Sequence, residues 1–372
     1  MKTLLSAVLC PTLFLAAAGA QTIKVGVQLP LTGERADVGK TMQSALQMAL
    51  DSTNAKAGAK GLKLELVWAD DESTNEGAAR ALDKLVHDPG IIAIAGEINS
   101  PLVMASAPMV DKEGIVYLTG GTSPRTTSQS PWIFRVGASD ALLTDCLARY
   151  VVEELKMKSV AVLHDKTGIH NQRAALVTST LKDKYQIASV ADAAWSPGDR
   201  TFEVQMQQVK TGQAQAIIAL GETPEGGSFF KQVKASGLPV QVIAHRDFGV
   251  KPVLDEAGAA ADGALIVTEY APALESAATQ TWAAAYKKRF GVDANVIAAQ
   301  YCDSLLLLAE AVKTGGQTRG GVKSGLERLS NFPGVLADYT FDAARNGVHR
   351  FYVAKIAGGK LTLVKVLNEA SK

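Results

Sequence analysis

The chain has 372 residues, of which 47% are apolar, 6% aromatic and 20% charged. Those fractions exclude a disordered chain, a collagen-like repeat and a polytopic membrane protein, and the length predicts two domains. Lysine plus arginine (38) balance aspartate plus glutamate (37) at a formal charge of +1, which excludes a general attraction for nucleic acid or anionic membrane.

Residues 1–20 read as an export leader. Lys2 supplies the positive start, residues 4–15 are almost wholly apolar, and Ala18-Gly19-Ala20 is a small-x-small cleavage pattern. Cys10 is no lipid-attachment site, because Leu9 precedes it where a small residue is wanted. No later segment holds the roughly 18 uninterrupted apolar residues of a spanning helix.

From Ile23 onward β-branched runs alternate with amphipathic stretches. Strands are predicted at 23–29, 62–69, 91–95 and 115–118, and helices at 38–54, 75–86 and 101–112. The short runs are apolar on both faces, as in a parallel sheet covered by helices on both sides. At 131–140 the rhythm changes and restarts. The second series predicts helices at 140–156, 170–184, 201–210 and 224–236. Its strands fall at 158–164, 186–194, 214–220 and 239–244. After 263–269, helices follow at 279–290 and 295–313. Strands at 336–341, 350–356 and 361–366 close the chain, with turns at Asn346-Gly347 and Gly358-Gly359. The expected fold is α/β, built from two doubly wound, mostly parallel sheets. Cys146 and Cys302 lie inside helical patterns, which predicts buried thiols, with a disulfide as the alternative in an oxidising compartment.

The run from Gly33 to Thr41 places five residues between its glycines where a phosphate-binding loop has four, leaving a glycine-rich turn whose amides face a small anion. Asp70-Asp71-Glu72 reads as helix capping and a solvated turn. No GxSxG elbow and no HExxH pair is present, so no catalytic residue, metal or cofactor is expected. Polar residues instead gather at the predicted carboxyl ends of strands: Asn99-Ser100, Thr119 to Pro124, His164 to Asn171, Gly221-Glu222-Thr223 and Ala244 to Asp247. Open α/β sheets bind ligands at those ends, which points to a cleft between two domains.

The chain resembles the periplasmic leucine/isoleucine/valine-binding protein family over nearly its whole length after the leader. The likeness is carried by Leu31-Thr32-Gly33 with Gly39, Asp70-Asp71, Gly96 to Ser100, Glu113-Gly114-Ile115, Thr122-Ser123-Pro124 and Phe134-Arg135. His164-Asp165, Gly198-Asp199 with Phe202, Gly237-Leu238 and Phe341-Asp342 extend it. The resemblance implies two Rossmann-like lobes in a venus-flytrap arrangement, joined by crossovers near 133–139, 267–271 and 335–339. One lobe would comprise 21–135 plus 270–336, the other 136–269 plus 337–372. It further implies a monomeric periplasmic protein that hands a small carboxylated metabolite or amino acid to an ABC permease.

In that family Ser100 and Thr122, with the amides of Gly120 and Gly121 and the neighbouring Asn99, match the positions that hold a ligand carboxylate. Positions usually tyrosine are Val38, Ile169-His170 and Glu222 here. The acid that meets the ligand ammonium aligns with Arg246 or Asp247. On an extended segment only one of that pair enters the cleft. Asp247 or Glu222 would favour an amino acid. Arg246 would favour an amine-free aromatic, keto or dicarboxylic acid. A ligand-sensing receptor is a more distant reading.

Overall fold

The computed structural model describes residues 22–58, 61–271 and 276–368; the leader and its cleavage site lie outside them. Five parallel strands form the first sheet: β1 (Thr22–Leu29), β2 (Lys63–Asp70), β3 (Ile91–Ala95), β4 (Val116–Thr119) and β5 (Ile133–Arg135), in the order β2-β1-β3-β4-β5. Helices α1 (Ala36–Ala57), α2 (Asn75–Val86), α3 (Ser100–Glu113) and α4 (Arg125–Ser128) connect them. All five residues of β3 are buried, as its unbroken Ile-Ile-Ala-Ile-Ala run demands of a strand covered on both faces. Gly96, just past β3, lets the ring of Tyr117 cross the chain: a Cβ there would lie 2.0 Å from that ring.

The second sheet has the order β14-β13-β10-β9-β8-β6-β7. After α5 (Asp140–Arg149), its elements run β6 (Val160–Asp165), α6 (Gly168–Tyr185), β7 (Ala191–Trp195), α7 (Glu203–Thr211), β8 (Ala216–Leu220), α8 (Thr223–Ser236), β9 (Gln241–His245), α9 (Lys251–Ala257) and β10 (Leu265–Thr268). Strands β6 to β10 are parallel. The chain then returns to the first sheet with α10 (Ala277–Phe290), α11 (Val296–Gly315) and α12 (Arg319–Glu327), where α11 packs between α1 and α12. A two-residue pair, β11 (Phe332–Pro333) with β12 (Asp338–Tyr339), leads to the antiparallel hairpin β13 (Arg350–Ala357) and β14 (Lys360–Asn368) on the edge of the second sheet. Gly358 and Gly359, at φ 56° and 70°, make the predicted turn between them.

Several expectations need correction. The helix expected to 156 leaves α geometry at Arg149 and continues as a π turn over Tyr150–Glu154. The strand expected from 186 begins only at Ala191, because Gln186 adopts φ 59° to end α6. The strand expected at 336–341 shrinks to two residues. Helices α9 and α12 were not anticipated. In α12 the glycines hide the pattern: a Cβ on Gly325 would lie 2.3 Å from the Ala311 carbonyl, so the residue serves close packing on α11. Cys146 and Cys302 are both buried and are not joined in a disulfide.

Two chain passages between the sheets are tied to each other. Tyr339 Oη donates to the Val136 carbonyl at 2.9 Å, and the Gly347 amide donates to the Arg135 carbonyl at 3.0 Å. Asp303 on α11 accepts the amides of Val335 and Leu336, one on each oxygen, at 2.6 and 2.7 Å.

Candidate ligand-binding site

Each sheet has one point where neighbouring strands depart in opposite directions: between β1 and β3 in the first, between β6 and β8 in the second. At such a point the connecting loops diverge and leave a crevice at the carboxyl ends. The sequence-derived candidates sit at these ends or beside them.

At the first sheet, Asn99 is the N-cap of α3 and Ser100 its first residue, and Asn99 makes no side-chain cap bond. Both are half-buried. Ser100 Oγ accepts the Ser123 amide at 3.2 Å, which leaves its own hydrogen for another acceptor. The loop after β4 is more self-contained than expected. The Gly121 amide is donated to Thr119 Oγ1 at 2.9 Å, and that hydroxyl donates to the Glu97 carbonyl at 2.6 Å. The Gly120 amide is engaged with the Tyr301 hydroxyl. Thr122 Oγ1 donates to Asp140 Oδ2 at 2.8 Å. The amides that face an anion lie just ahead of the Gly33–Thr41 run rather than within it, and that anion is the protein's own Asp70. Its Oδ1 accepts the amides of Leu31, Thr32 and Glu72 at 2.9–3.1 Å. Asp71, expected in a solvated turn, is fully buried.

At the second sheet a continuous polar chain runs inward from Thr122. Asp140 Oδ1 accepts Arg173 Nε at 2.8 Å, Arg173 Nη1 lies 3.1 Å from His170 Nε2, and His170 Nδ1 lies 2.8 Å from Asp165 Oδ2. A guanidinium only donates, so His170 Nε2 accepts, and the ring proton on Nδ1 goes to Asp165. His170 is therefore a fully buried support for Asp165 and Arg173, while its neighbour Ile169 is exposed. Two groups, His170–His245–Asp247 and Asp165–His170–Glu222, bring ligating atoms within 4.8 Å of one another. With both nitrogens of His170 already engaged, neither group presents a lone pair from that ring to a metal.

Arg246 and Asp247 do not lie on an extended segment. They open a 3-10 turn, Arg246–Gly249, so the alternation that would turn one outward does not apply. The turn brings both toward the carboxyl end of the sheet and gives each a different partner. Arg246 Nη1 is ion-paired to Oε1 of Glu269, which is fully buried. Asp247 Oδ2 lies 3.0 Å from His245 Nδ1, and its side chain keeps 28% exposure.

The electrostatics follow from these pairings. Burial and the nearby Arg173 push His245 down to about 3, so the imidazole is neutral. Burial alone would raise Asp247, yet His245, Arg246 and Arg173 outweigh it and hold the carboxyl well below its usual range. Partial desolvation of the Glu222 carboxyl, in a residue otherwise exposed, and the Asp247 charge push it up. Five carboxylates (Asp140, Asp165, Glu222, Asp247, Glu269) thus gather around two guanidiniums (Arg173, Arg246), which are already paired with Asp140 and Glu269. The region carries excess negative charge.

Sequence reasoning found Glu222, Arg246 and Asp247 but not Asp140, Arg173, His245 or Glu269 as their partners. The contacts span 33 residues from Asp140 to Arg173 and 23 from Arg246 to Glu269, with no local pattern to announce them.

The family profile described as periplasmic binding protein matches residues 22–360. The leucine-, isoleucine-, valine-, threonine- and alanine-binding protein of Pseudomonas aeruginosa is 28% identical over 248 residues, a match covering 66% of each chain. The Leu/Ile/Val-binding protein of Escherichia coli is 27% identical over 249 residues, 66% of this chain and 67% of that one. Among solved structures, the branched-chain amino acid transporter substrate binding protein of Streptococcus pneumoniae, in complex with isoleucine, superposes with a TM-score of 0.77 at 25% identity, covering 94% of this chain and 100% of that one. A solute binding protein of R. palustris in complex with benzoate superposes with a TM-score of 0.75 at 20% identity, covering 94% and 97%.

Proposed function

Because the chain belongs to the periplasmic binding protein family, we propose that it is the exported solute-binding subunit of an ABC importer and captures an amino acid between two lobes. In this reading the leader ends at Ala20, and the lobes are 21–135 with 270–336 and 136–269 with 337–372. The protein works as a monomer in the periplasm, and an inner-membrane permease is its partner. It performs no covalent chemistry. Ligand touching both lobes stabilises their closed arrangement, which the permease recognises.

The observation that carries the choice of ligand is the Arg246–Glu269 ion pair. It ties up Arg246 as Asp140 ties up Arg173, so among the described residues neither Asp247 nor Glu222 has a guanidinium in a direct ion pair. A ligand ammonium supplies that missing charge and brings Glu222 back down. The carboxylate goes to the start of α3, where the Ser100 hydroxyl, the Asn99 side chain and the helix N-terminus are neutral donors. Gly120, Gly121 and Thr122 then shape this subsite rather than donate to the ligand, and Ile169 lies at its rim. An amine-free acid would bring negative charge to Asp247 and Glu222.

The test is a thermal-shift comparison of L-leucine, L-isoleucine and L-alanine with their 2-oxo-acid analogues. At a hundredfold excess over Kd a true ligand stabilises the protein by about 2.7 kcal/mol. A shift with the oxo acids and none with the amino acids overturns the amine-bearing reading.

A further inference from the structure

Beneath the Asn99–Ser100 anchor lies a pair of carboxyl groups that the ligand-binding reading does not use. Asp71, just after β2, and Glu97, just after β3, are each 0% exposed. Each satisfies one oxygen with backbone amides. Asp71 Oδ1 accepts the Ser73 amide at 2.9 Å; Glu97 Oε1 accepts those of Ile98 and Asn99 at 2.8 and 2.7 Å. The remaining oxygens, Asp71 Oδ2 and Glu97 Oε2, are fully buried and find no donor. Nevertheless the two side chains lie within hydrogen-bonding reach of each other. Two acceptors in contact make a bond only when one of them carries a proton.

We infer that Asp71 and Glu97 share a single proton between Oδ2 and Oε2, and that this bond makes Glu97 the positioning residue for the Ser100 anchor. The groups that face the pair all favour such a proton. Tyr117 on β4 receives the Glu97 amide on its hydroxyl at 2.8 Å and donates to Gln28 Oε1 at 3.1 Å, so its proton is already spent. Tyr301 on α11 gives its proton to the Gly96 carbonyl at 2.7 Å. Among the described residues no lysine, arginine or histidine pairs with either carboxyl, so two negative charges in contact would stand uncompensated. Burial and the Asp71 charge push Glu97 well above the usual carboxylate range.

The bond joins two loops at opposite sides of β1. One carries the Asp71–Ser73 turn that opens α2; the other carries Ile98, Asn99 and the first residue of α3. With the proton in place Glu97 is held by Asp71 on one oxygen and presents the other to the two amides ahead of Ser100. Loss of the proton would drive the carboxylates apart and drag those amides with them. The anchoring role of Ser100 rests on the amino-acid reading above; the shared proton does not.

The experiment therefore uses ligand-free protein. Infrared difference spectra at neutral pH, wild type minus variant, cancel other protonated carboxyls such as Asp303 and should show the same lost carboxylic acid component in both Glu97→Gln and Asp71→Asn, since either amide replaces the shared proton with its own N–H. Amide hydrogen exchange at Ile98 and Asn99, followed by NMR, should quicken roughly tenfold or more in Glu97→Ala and stay near wild type in Glu97→Gln. A difference spectrum that lacks this component for either single amide substitution overturns the shared proton. Equal exchange in Glu97→Ala and wild type overturns the positioning role. Should the protein fail to bind any amino acid, both measurements still decide this inference.

Discussion

The Thr122 hydroxyl donates to Asp140 Oδ2 at 2.8 Å while the Asp140 amide donates back to the Thr122 carbonyl at 2.9 Å. This reciprocal pair links the last loop of the first sheet's ligand edge to the helix that begins the second series. Asp140 is also the partner of Arg173, and together they hold its carboxyl below the ordinary range although burial opposes them. The Thr122 hydroxyl is therefore spent on the protein's own frame.

Ser100→Ala and Thr122→Ala should separate accordingly. Removing a donor to a buried charged group costs about 1.5–3 kcal/mol. Thr122→Ala should lose stability on that scale in urea unfolding. Ser100→Ala should weaken amino-acid binding by calorimetry and lose less stability than Thr122→Ala, because the acceptor it removes holds only the Ser123 amide, at 3.2 Å. Equal loss of affinity in both, with stability intact, would return Thr122 to the ligand's first contacts.

A second comparison concerns the pair after β9. Arg246→Ala abandons the fully buried Glu269 carboxylate, and stranding a buried charge costs about 3–5 kcal/mol. Asp247→Asn removes a charge that His245, Arg246 and Arg173 favour, but the side chain is 28% exposed, so the loss of stability should be smaller than in Arg246→Ala while amino-acid affinity falls. The measurement is denaturant unfolding alongside titration for each variant. An Arg246→Ala protein of wild-type stability would show that the ion pair contributes nothing.

What could be read in advance follows from what is local. Helix 75–86 and strand 91–95 were legible to the residue, because Ala78, Ala81, Leu82 and Leu85 repeat with helical spacing and the strand is uninterrupted aliphatic sequence. The α9 and α12 segments were not, since glycine and charge obscure any periodicity there. Candidate positions at strand ends were legible because the architecture dictates where loops converge. Their chemistry was not. The consumption of the Gly121 amide by Thr119, the burial of His170 and the pairing of Arg246 with Glu269 depend on three-dimensional neighbours. The 3-10 turn at Arg246 likewise depends on how the chain leaves β9, which no alternation of side chains encodes.

Gly96→Ala probes the frame without removing a polar group. Its Cβ would land 2.0 Å from the Tyr117 ring, whose hydroxyl receives the Glu97 amide. Tyr117 is fully buried in an apolar cluster built from α2, β3 and α3, where a ring that shifts displaces packed neighbours. Overpacking of this kind costs about 1–3 kcal/mol. Urea unfolding should register that loss, and an unchanged midpoint would mean that the ring can move aside.

The last prediction is a pH dependence seated at the passage between lobes. Asp303 accepts the Val335 and Leu336 amides at 2.6 and 2.7 Å, and Gly334 packs so closely that a Cβ would lie 2.7 Å from Asp303 Oδ2. Burial pushes this carboxyl up to about 7 from 3.8, against the opposing pull of the two amides. A folded-state value above the unfolded one means that the native protein binds more protons between those two pH values. Stability from this group is then complete below about 3.8 and is lost as pH rises through about 7. The slope contributed by one group is about 1.4 kcal/mol per pH unit. Asp303→Asn cannot titrate, and its amide accepts only one of the two backbone donors. It should be less stable than wild type by about 1–3 kcal/mol in the acid range, where wild type is protonated. The gap should close and then reverse toward neutral pH, because about 1.4 kcal/mol per unit over the roughly three units between 3.8 and 7 exceeds it. Urea unfolding of both proteins at a series of pH values reads the difference directly. A gap that stays constant from acid to neutral pH would mean that Asp303 keeps an ordinary carboxylate pKa and that its two hydrogen bonds, rather than its burial, govern its charge.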